Sequence, residues 1–190
     1  MKGTADVHAQ KLVAQAAAWR LASLLLERPR AQWHSEIEQL SLEASDEKLS
    51  YCASEAELAS EELYHRLFGP GGTVSPREVS YCGFEDPGRL MAELKSFYRA
   101  FSYLPRREES IDHVSVEAGF VGYLFLKEAY ARQRGDSDAA EITKRARSRF
   151  MNDHVSRCAG GIVDRLTDSP AYLRKVFLWL VEKGRDGCYE

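Results

Sequence analysis

Two pairs of side chains in this sequence have the chemistry and the spacing of metal ligands. His113 and Glu117 are four residues apart, and so are His154 and Cys158. On a helix this spacing places both members of a pair on one face, and zinc accepts imidazole, carboxylate and thiolate ligands. Two such pairs would supply four ligands if their helices lay side by side, which the sequence does not establish. The alternative interpretation is structural: His113 caps its helix, Glu117 meets a nearby base or tyrosine hydroxyl, and Cys158 packs as a small apolar side chain.

The run Gly-Pro-Gly-Gly at positions 69–72 raises the question of a phosphate-binding loop. Such a loop needs Gly-x-x-x-x-Gly-Lys-Ser/Thr between a strand and a helix, so that backbone N–H groups and the lysine face the phosphates. No lysine follows Gly72, and the preceding stretch ASEELYHRLF has helical rather than strand spacing. The run therefore predicts a loop that ends a helix, and with no nucleotide motif in the chain we expect no cofactor.

Nucleophilic catalysis lacks its sequence signals. It would need a serine or cysteine beside a positioned histidine and an orienting acid, but the chain has no Gly-x-Ser-x-Gly elbow and no cysteine in a reactive context. The twin arginines Arg106 and Arg107 lie inside the chain, whereas a twin-arginine export signal is N-terminal, so they are interpreted as loop charges. We expect a protein that is not an enzyme.

Length and charge narrow the class of protein. A chain of 190 residues is large enough to bury roughly 70 % of its unfolded surface in one core, so we expect a single domain spanning residues 1–190. The net charge of −3 gives no reason to expect a nucleic acid partner. Residues 36–62 hold nine carboxylates against Lys48 alone, which predicts a solvated face or a surface that attracts a basic partner.

Cysteine usage and hydropathy indicate the compartment. The four cysteines are far apart and form no Cys-x-x-Cys pair, which favours reduced thiols in a cytoplasmic protein. No segment reaches the ~18 uninterrupted apolar residues of a membrane span, and polar residues interrupt any signal-peptide core near the N-terminus. The sequence therefore predicts a soluble cytoplasmic protein without stable membrane insertion.

Apolar spacing of three and four residues predicts an all-α fold, a helical bundle. The predicted helices cover 7–28, with Pro29 just past the end, 33–41, 54–68, 89–104, 110–136 and 137–167. A last helix runs from Ser169 as N-cap through Pro170 at its first position to Gly184 at its end. Apolar residues on nearly every side of 114–126 predict that this helix is central and buried. Its first turn is expected to hold Asp112, and the later stretch is expected to loosen at Gly160 and Gly161. Between about 69 and 88 lies a long glycine- and proline-rich loop, which in a compact domain is usually functional or disordered.

Three segments resemble a known family. YHRLFGPGGTVSPREVSY at 64–81 and IDHVSVEAGFVGYLFLKEAYA at 111–131 are similar to the loop motif and the Asp-His-x-x-x-Glu motif of the TorD/DmsD/NarJ chaperones, and FMNDHVSRC at 150–158 is a weaker likeness. The resemblance implies a TorD-like all-helical domain without catalysis of its own. Members of this family bind the N-terminal leader of a partner enzyme, often a twin-arginine signal peptide, and hold the apo form of a molybdopterin oxidoreductase until its cofactor is inserted.

Carried over to this chain, the resemblance implies a site that binds the client and its leader. The corresponding residues are Asp112, His113, Glu117, Gly69, Pro70, Gly71, Ser75, Pro76 and Tyr81. An apolar groove with carboxylates at its edge would take the leader's hydrophobic run and its arginines.

The sequence departs from the family pattern at three positions. Many relatives have tryptophan in place of Arg77, proline in place of Ile111 and tryptophan in place of Cys158. These changes bear on the choice of client more than on the family. Two other interpretations stay open: a small helical metal-binding protein or enzyme using the two ligand pairs described above, and a helical adaptor for an unrelated partner.

Overall fold

The computed structural model describes residues 2–105, 109–167 and 169–186, and within these residues all regular elements are helical. The predicted all-α class is therefore confirmed. The helices are α1 (Lys2–Leu25), α2 (Trp33–Glu43), α3 (Glu47–Glu55), α4 (Glu61–Phe68), α5 (Pro87–Ala100), α6 (Val114–Gln133), α7 (Ser137–Phe150), α8 (Ser156–Val163) and α9 (Ala171–Asp186). Short 3₁₀ turns occur at Ala56–Leu58 and Glu78–Tyr81, and a π-helical turn at Met151–Val155 joins α7 to α8. Arg106 and Arg107 lie outside the described residues.

The pairing of α1 with α6 forms the centre of the fold and is the most extensive contact between the described helices. Phe120, Val121 and Leu124 of α6 are fully buried, which confirms the prediction of a central helix. The two backbones approach closely because α6 presents glycine: a Cβ at Gly122 would lie 3.1 Å from the carbonyl oxygen of Ala16. Around this pair α2, α3, α7, α8 and α9 pack to complete one apolar core.

Short polar side chains begin several helices. Asp46, Ser60, Asp86 and Asp136 each accept a hydrogen bond from a backbone N–H in the first turn of the helix that follows. Such N-caps satisfy donors that have no partner inside the helix. Ser60 explains why the predicted helix 54–68 is wrong as one element: the chain turns at Ala56–Leu58, and Ser60 starts a new helix.

Other predicted boundaries also differ from the structure. Helix α5 ends at Ala100 instead of Leu104, because Ser102 adopts a positive φ of 57° and the Tyr103 N–H turns back to the Tyr98 carbonyl at 2.8 Å. Helix α9 begins at Ala171, just after Pro170, and passes through Gly184 to Asp186.

The stretch 137–163 is continuous and does not loosen at its glycine pair. It contains instead the π turn at Met151–Val155, in which His154 is buried. Gly161 is required by packing: a Cβ there would lie 2.3 Å from the ring of Tyr81, whereas a Cβ at Gly160 meets nothing within 4 Å. No helix in the described part of the chain is both long enough and apolar enough to cross a membrane.

The two adjacent glycines of α8 provide a matched pair of substitutions. Gly160→Ala should raise the free energy of unfolding by about 0.5–1 kcal/mol, because alanine favours the helix and restricts the unfolded chain. Gly161→Ala should lower it by about 1–3 kcal/mol, because the ring of Tyr81 has to move. Urea unfolding of both variants measures the difference, and equal effects would contradict the close contact between α8 and Tyr81.

Candidate functional site

The glycine-rich loop folds back on the end of α4. The Gly69 N–H donates to the carbonyl of His65 at 2.9 Å, and the Gly72 N–H donates to that of Gly69 at 2.8 Å. A Cβ at Gly72 would lie 2.4 Å from the Leu67 carbonyl oxygen, and Gly71 has a φ of +82°. Both conditions favour glycine. The glycines therefore serve a tight turn, as the sequence predicts.

After this turn the loop attaches to the start of α6. The Val114 N–H donates to the Pro76 carbonyl at 2.9 Å, and the Glu78 N–H donates to the Asp112 carbonyl at 2.8 Å. We call residues 75–81 together with 110–117 the loop–helix junction. These two backbone hydrogen bonds join residues more than thirty positions apart in the chain, and both segments belong to motifs recognised in the sequence.

Asp112 is the interior anchor of the junction. Its carboxylate is fully buried and accepts from the Nε of Arg77 at 3.0 Å and from the hydroxyl of Ser110 at 2.5 Å. Asp112 lies before the N-cap of α6, so the prediction that it occupies the first turn of that helix is wrong. Because Arg77 is the residue that replaces the tryptophan of many relatives, this ion pair is a feature of the present sequence.

His113 is the N-cap of α6, as one of the two interpretations of the sequence has it. The Ser115 N–H donates to Nδ1 at 3.2 Å, and Nε2 lies 2.9 Å from the hydroxyl of Tyr64. Burial lowers the pKa of His113 to about 4, so the ring is neutral at pH 7. Nδ1 also lies 2.7 Å from the hydroxyl of Ser115, so both ring nitrogens are within hydrogen-bond distance of protein groups.

Glu78 is a second buried carboxylate, which the sequence analysis did not single out. It is fully buried and accepts from the guanidinium of Arg157 at 2.7 Å, while its oxygens lie 3.1 and 3.2 Å from Nδ1 of His154. The π turn places His154 in this position. No local pattern distinguishes Glu78 from a surface acid, since its partners come from residues 154–157.

Glu117 lies in the same interior but has no hydrogen-bond donor among the described residues. The prediction that Glu117 bonds to a base or a tyrosine hydroxyl is therefore wrong, although the charge of Arg157 acts on it from nearby. Burial, followed by the carboxylate of Glu78, raises the pKa of Glu117 well above its ordinary value. Both influences favour the protonated form of Glu117, which can donate to Glu78 and so removes one charge from the interior.

The surroundings of the four candidate zinc ligands, His113, Glu117, His154 and Cys158, differ from those of a metal site. Cys158 is fully buried as the apolar interpretation predicts, and burial raises the pKa of its thiol well above the ordinary value. Both ring nitrogens of His113 have protein partners, and His154 faces Glu78. Within 2–105, 109–167 and 169–186 no group of three or more histidine, cysteine or acidic side chains has an arrangement that could hold a metal ion. Cys52, Cys82 and Cys158 are buried free thiols.

Tyr81 closes the loop on its outer side. Its hydroxyl donates to the Ser75 carbonyl at 2.6 Å, and the hydroxyl of Ser80 donates to that of Ser75 at 2.7 Å. The guanidinium of Arg165 stacks on the Tyr81 ring at 4.7 Å. The structure thus gathers the nine predicted site residues at the junction and the turn that leads into it. Asp112, His113, Glu117 and Pro76 are buried there, while Pro70 and Gly71 face solvent.

An open groove of about 330 Å³ lies between α1 and α6, next to the junction. It is lined by Ala16, Arg20, Ser23, Glu27, Arg28, Arg30, Tyr103, Leu104, Glu109, Ser115, Val116, Gly119, Gly122, Tyr123 and Leu126, and we call it the α1–α6 groove. Leu104 is 90 % exposed and Leu126 is 49 % exposed. Ser115 connects the groove to the junction, because it belongs to both.

An all-α chain with an open, partly apolar groove between two helices has the form of a helical protein that binds an extended or helical segment. The chain belongs to the nitrate reductase delta subunit family, whose model matches residues 26–163. This is a family of molybdoenzyme maturation chaperones rather than catalysts, and its members bind molybdoenzyme subunits. No individual curated protein matches the chain. The family resemblance found in the sequence is thereby confirmed.

The buried carboxyl of Glu117 predicts a dependence of stability on pH. The pKa of this group is raised on folding, so the unfolded chain releases its proton at a lower pH than the folded protein does. The free energy of unfolding therefore falls as the pH rises above the ordinary glutamate value, by up to about 1.4 kcal/mol per pH unit. Glu117→Gln keeps the shape and a hydrogen-bond donor but removes the ionisation.

We expect Glu117→Gln to be more stable than the wild type at pH 7, with a difference that shrinks towards pH 4. Urea unfolding at pH 4, 5, 6 and 7 checks this. Glu93→Gln, on the exterior of α5, is the matched control and should leave the slope unchanged. A Glu117→Gln variant that loses stability at pH 7 would show that Glu117 is ionised in the folded protein.

Proposed function

We propose that this protein is a cytoplasmic chaperone, acting as one domain, that binds the apo catalytic subunit of a molybdopterin oxidoreductase through its N-terminal leader. The α1–α6 groove carries the proposal, because it offers apolar surface to solvent beside the two motifs that the family shares. Binding would hold the client before cofactor insertion and before assembly or export. In this role the protein would bind the client and delay its assembly or export, and it would catalyse no reaction.

The walls of the groove suit an apolar peptide segment. Val116, Tyr123 and Leu126 of α6 line one side, and Leu104 projects from the segment after α5. Two small residues, Gly119 and Gly122, keep the floor open. An amphipathic helix could lay its apolar side chains along this surface, with anchors spaced three and four residues apart.

Helix α4, which lies beside the groove and outside its lining, offers carboxylates for the basic residues of a leader. Arg28 lines the groove and lies 3.4 Å from Glu61, which opens helix α4 together with the exposed Glu62. Arginine side chains of the leader can reach these exposed acids while its apolar run occupies the groove. Glu61 and Glu62 belong to the acidic segment at 36–62 that the sequence contains.

The buried members of the predicted site support this proposal indirectly. Asp112, His113 and Glu117 are shielded from solvent, so we assign them the task of fixing the glycine loop against α6. Gly69, Pro70 and Gly71 then hold α4, with its acidic first turn, in place beside the groove. The positions that touch the client would be the exposed ones.

The first test is to identify the client. Tagged protein is used to capture partners from the native cytoplasm, and mass spectrometry should find a molybdopterin oxidoreductase subunit with its leader still attached. A synthetic peptide of that leader should then bind the purified chaperone in isothermal titration calorimetry. Failure to enrich any such subunit in cells that express one, or an enriched subunit whose leader does not bind, would contradict leader recognition and favour an adaptor for another partner.

A charge placed in the groove should weaken leader binding. Leu126→Glu puts a carboxylate at a half-exposed position on the groove wall, and we expect the Kd for the leader peptide to rise about tenfold or more, since an apolar contact is lost and a charge is desolvated. Ile142→Glu, on the exposed side of α7, is the matched control and should leave the Kd unchanged. Equal weakening by both variants would place the binding surface elsewhere.

The junction is tested by replacing Asp112 and His113 with alanine together. The double variant should retain its helix content in circular dichroism but bind the leader more weakly, because the glycine loop and α4 lose their attachment to α6. The Glu38→Gln/Glu43→Gln variant, at two exposed acids of α2, is a control that leaves this attachment intact. Unchanged affinity in the folded double variant would show that the junction has no part in recognition.

A further inference from the structure

A second cavity, also of about 330 Å³, lies on the other side of the α1–α6 contact. Its walls come from α1, α6, α7, the π turn and α9. The lining residues are His8, Lys11, Leu12, Gln15, Trp19, Phe125, Glu128, Arg132, Lys144, Arg147, Met151 and Lys183, and we call it the cationic cavity. None of these residues lines the α1–α6 groove.

The charges of this cavity are strongly unequal. Five of the lining side chains are lysine or arginine, and one is a carboxylate. The chain as a whole carries a net charge of −3, so the cavity concentrates positive charge on a protein that is acidic overall. Positive groups that converge in a concave site raise the local potential and attract anions.

The single carboxylate, Glu128, already accepts hydrogen bonds on both of its oxygens. Glu128 is 1 % exposed, its Oε1 accepts from Arg132 at 2.8 and 3.0 Å, and its Oε2 accepts from Arg147 at 2.8 Å. One carboxylate cannot balance both guanidinium groups. The residues that line the cavity therefore carry a net positive charge.

Arg147 is held in place before any ligand arrives. It is 6 % exposed, bonded to Glu128, and stacked on the ring of Phe125 with 3.8 Å between the guanidinium carbon and the ring centroid. Its Nε–H finds no acceptor among the described residues. A buried donor without an acceptor is costly, and a fixed, forked guanidinium is the group that best matches phosphate oxygens.

We propose that the cationic cavity binds the phosphate group of a small molecule. The guanidinium of Arg147 at the cavity wall would meet a phosphate oxygen, and Lys11 and Lys183 at the rim would neutralise the remaining charge. The volume of the cavity lies within the range of small-molecule sites, roughly 300–1,000 Å³. The proposal is independent of the leader-binding function, because it concerns other residues and another side of α6.

Calorimetric titration of the full chain tests the proposal with three probes: inorganic phosphate, pyrophosphate and ADP. The buffer contains no phosphate, and sodium chloride keeps the ionic strength constant. We expect one equivalent of pyrophosphate or ADP to bind with a Kd below about 1 mM. Tighter binding of these two than of inorganic phosphate would assign the site to a phosphorylated molecule, and equal binding would assign it to free phosphate. No binding of any probe overturns the proposal.

Variants locate the binding. Lys11→Gln/Lys183→Gln changes only rim positions and should raise the Kd about tenfold, since two charges near the phosphate are lost. Arg145→Gln, at a 78 % exposed side chain of α7 outside the cavity, is the matched control and should have no effect. If Arg145→Gln weakens binding as much as the double variant, the anion is held by diffuse surface charge and the proposal is wrong.

Arg147→Lys separates charge from geometry. It retains the positive charge but loses the forked donor, so a folded variant, checked by its melting temperature, should bind pyrophosphate at least about tenfold more weakly. Unchanged binding in the folded variant would show that Arg147 has only a structural role. If this variant does not fold, the rim variants decide the question. Leader binding by the rim variants should equal that of the wild type, so the two proposals can fail separately.

Discussion

The junction at the start of α6 depends on the cost of placing carboxylates in a protein interior. Asp112, Glu78 and Glu117 are all fully buried, and three ionised groups so close together would repel one another and lose their hydration. The structure meets this cost in two ways: Arg77 and Arg157 reach inward to Asp112 and Glu78, and the surroundings of Glu117 raise its pKa and favour its protonated form. Removing one partner of such an arrangement leaves an uncompensated buried charge. The glycine loop, the π turn and the first turn of α6 therefore have to stay in register with one another.

This requirement holds together the two segments in which the sequence resembles its family. They supply the loop and the start of α6, and the polar contacts between them are internal. The α1–α6 groove lies next to these contacts and uses Ser115 as a common residue, since the Ser115 carbonyl also accepts from the hydroxyl of Ser23 at 2.8 Å. Helix α1 is thereby fastened to the same turn of α6 that carries His113. The position of the groove walls thus depends on buried hydrogen bonds and not on their exposed side chains.

The sequence predicted the fold class, the central helix and the N-cap at His113 well, because each leaves a local trace. Apolar residues all around 114–126 can only belong to a buried helix, and a histidine just before such a run is placed to cap it. The interior position of Asp112 and Glu78 left no such trace. Their burial depends on Arg77, His154 and Arg157. The spacing of these residues in the sequence does not indicate that they contact Asp112 and Glu78. The end of α5 at Ala100 and the continuation of α9 past Gly184 were missed for a related reason: a positive φ at Ser102 and the packing of α9 override the local preferences.

The π turn at Met151–Val155 has a further consequence for how the second half of the chain can change. One additional residue in a helix rotates everything that follows by roughly 100°, so α7 and α8 form one continuous rod with two different phases. Before the turn, Arg147 of α7 points to the cationic cavity. After it, Arg157 and Cys158 of α8 face the buried carboxylates. Shortening this turn by one residue would preserve the helix and most of its apolar character, yet it would aim every side chain after residue 155 at the wrong neighbour. The rotational register of α7 and α8, more than their composition, therefore determines which side chains they present to each side of the molecule.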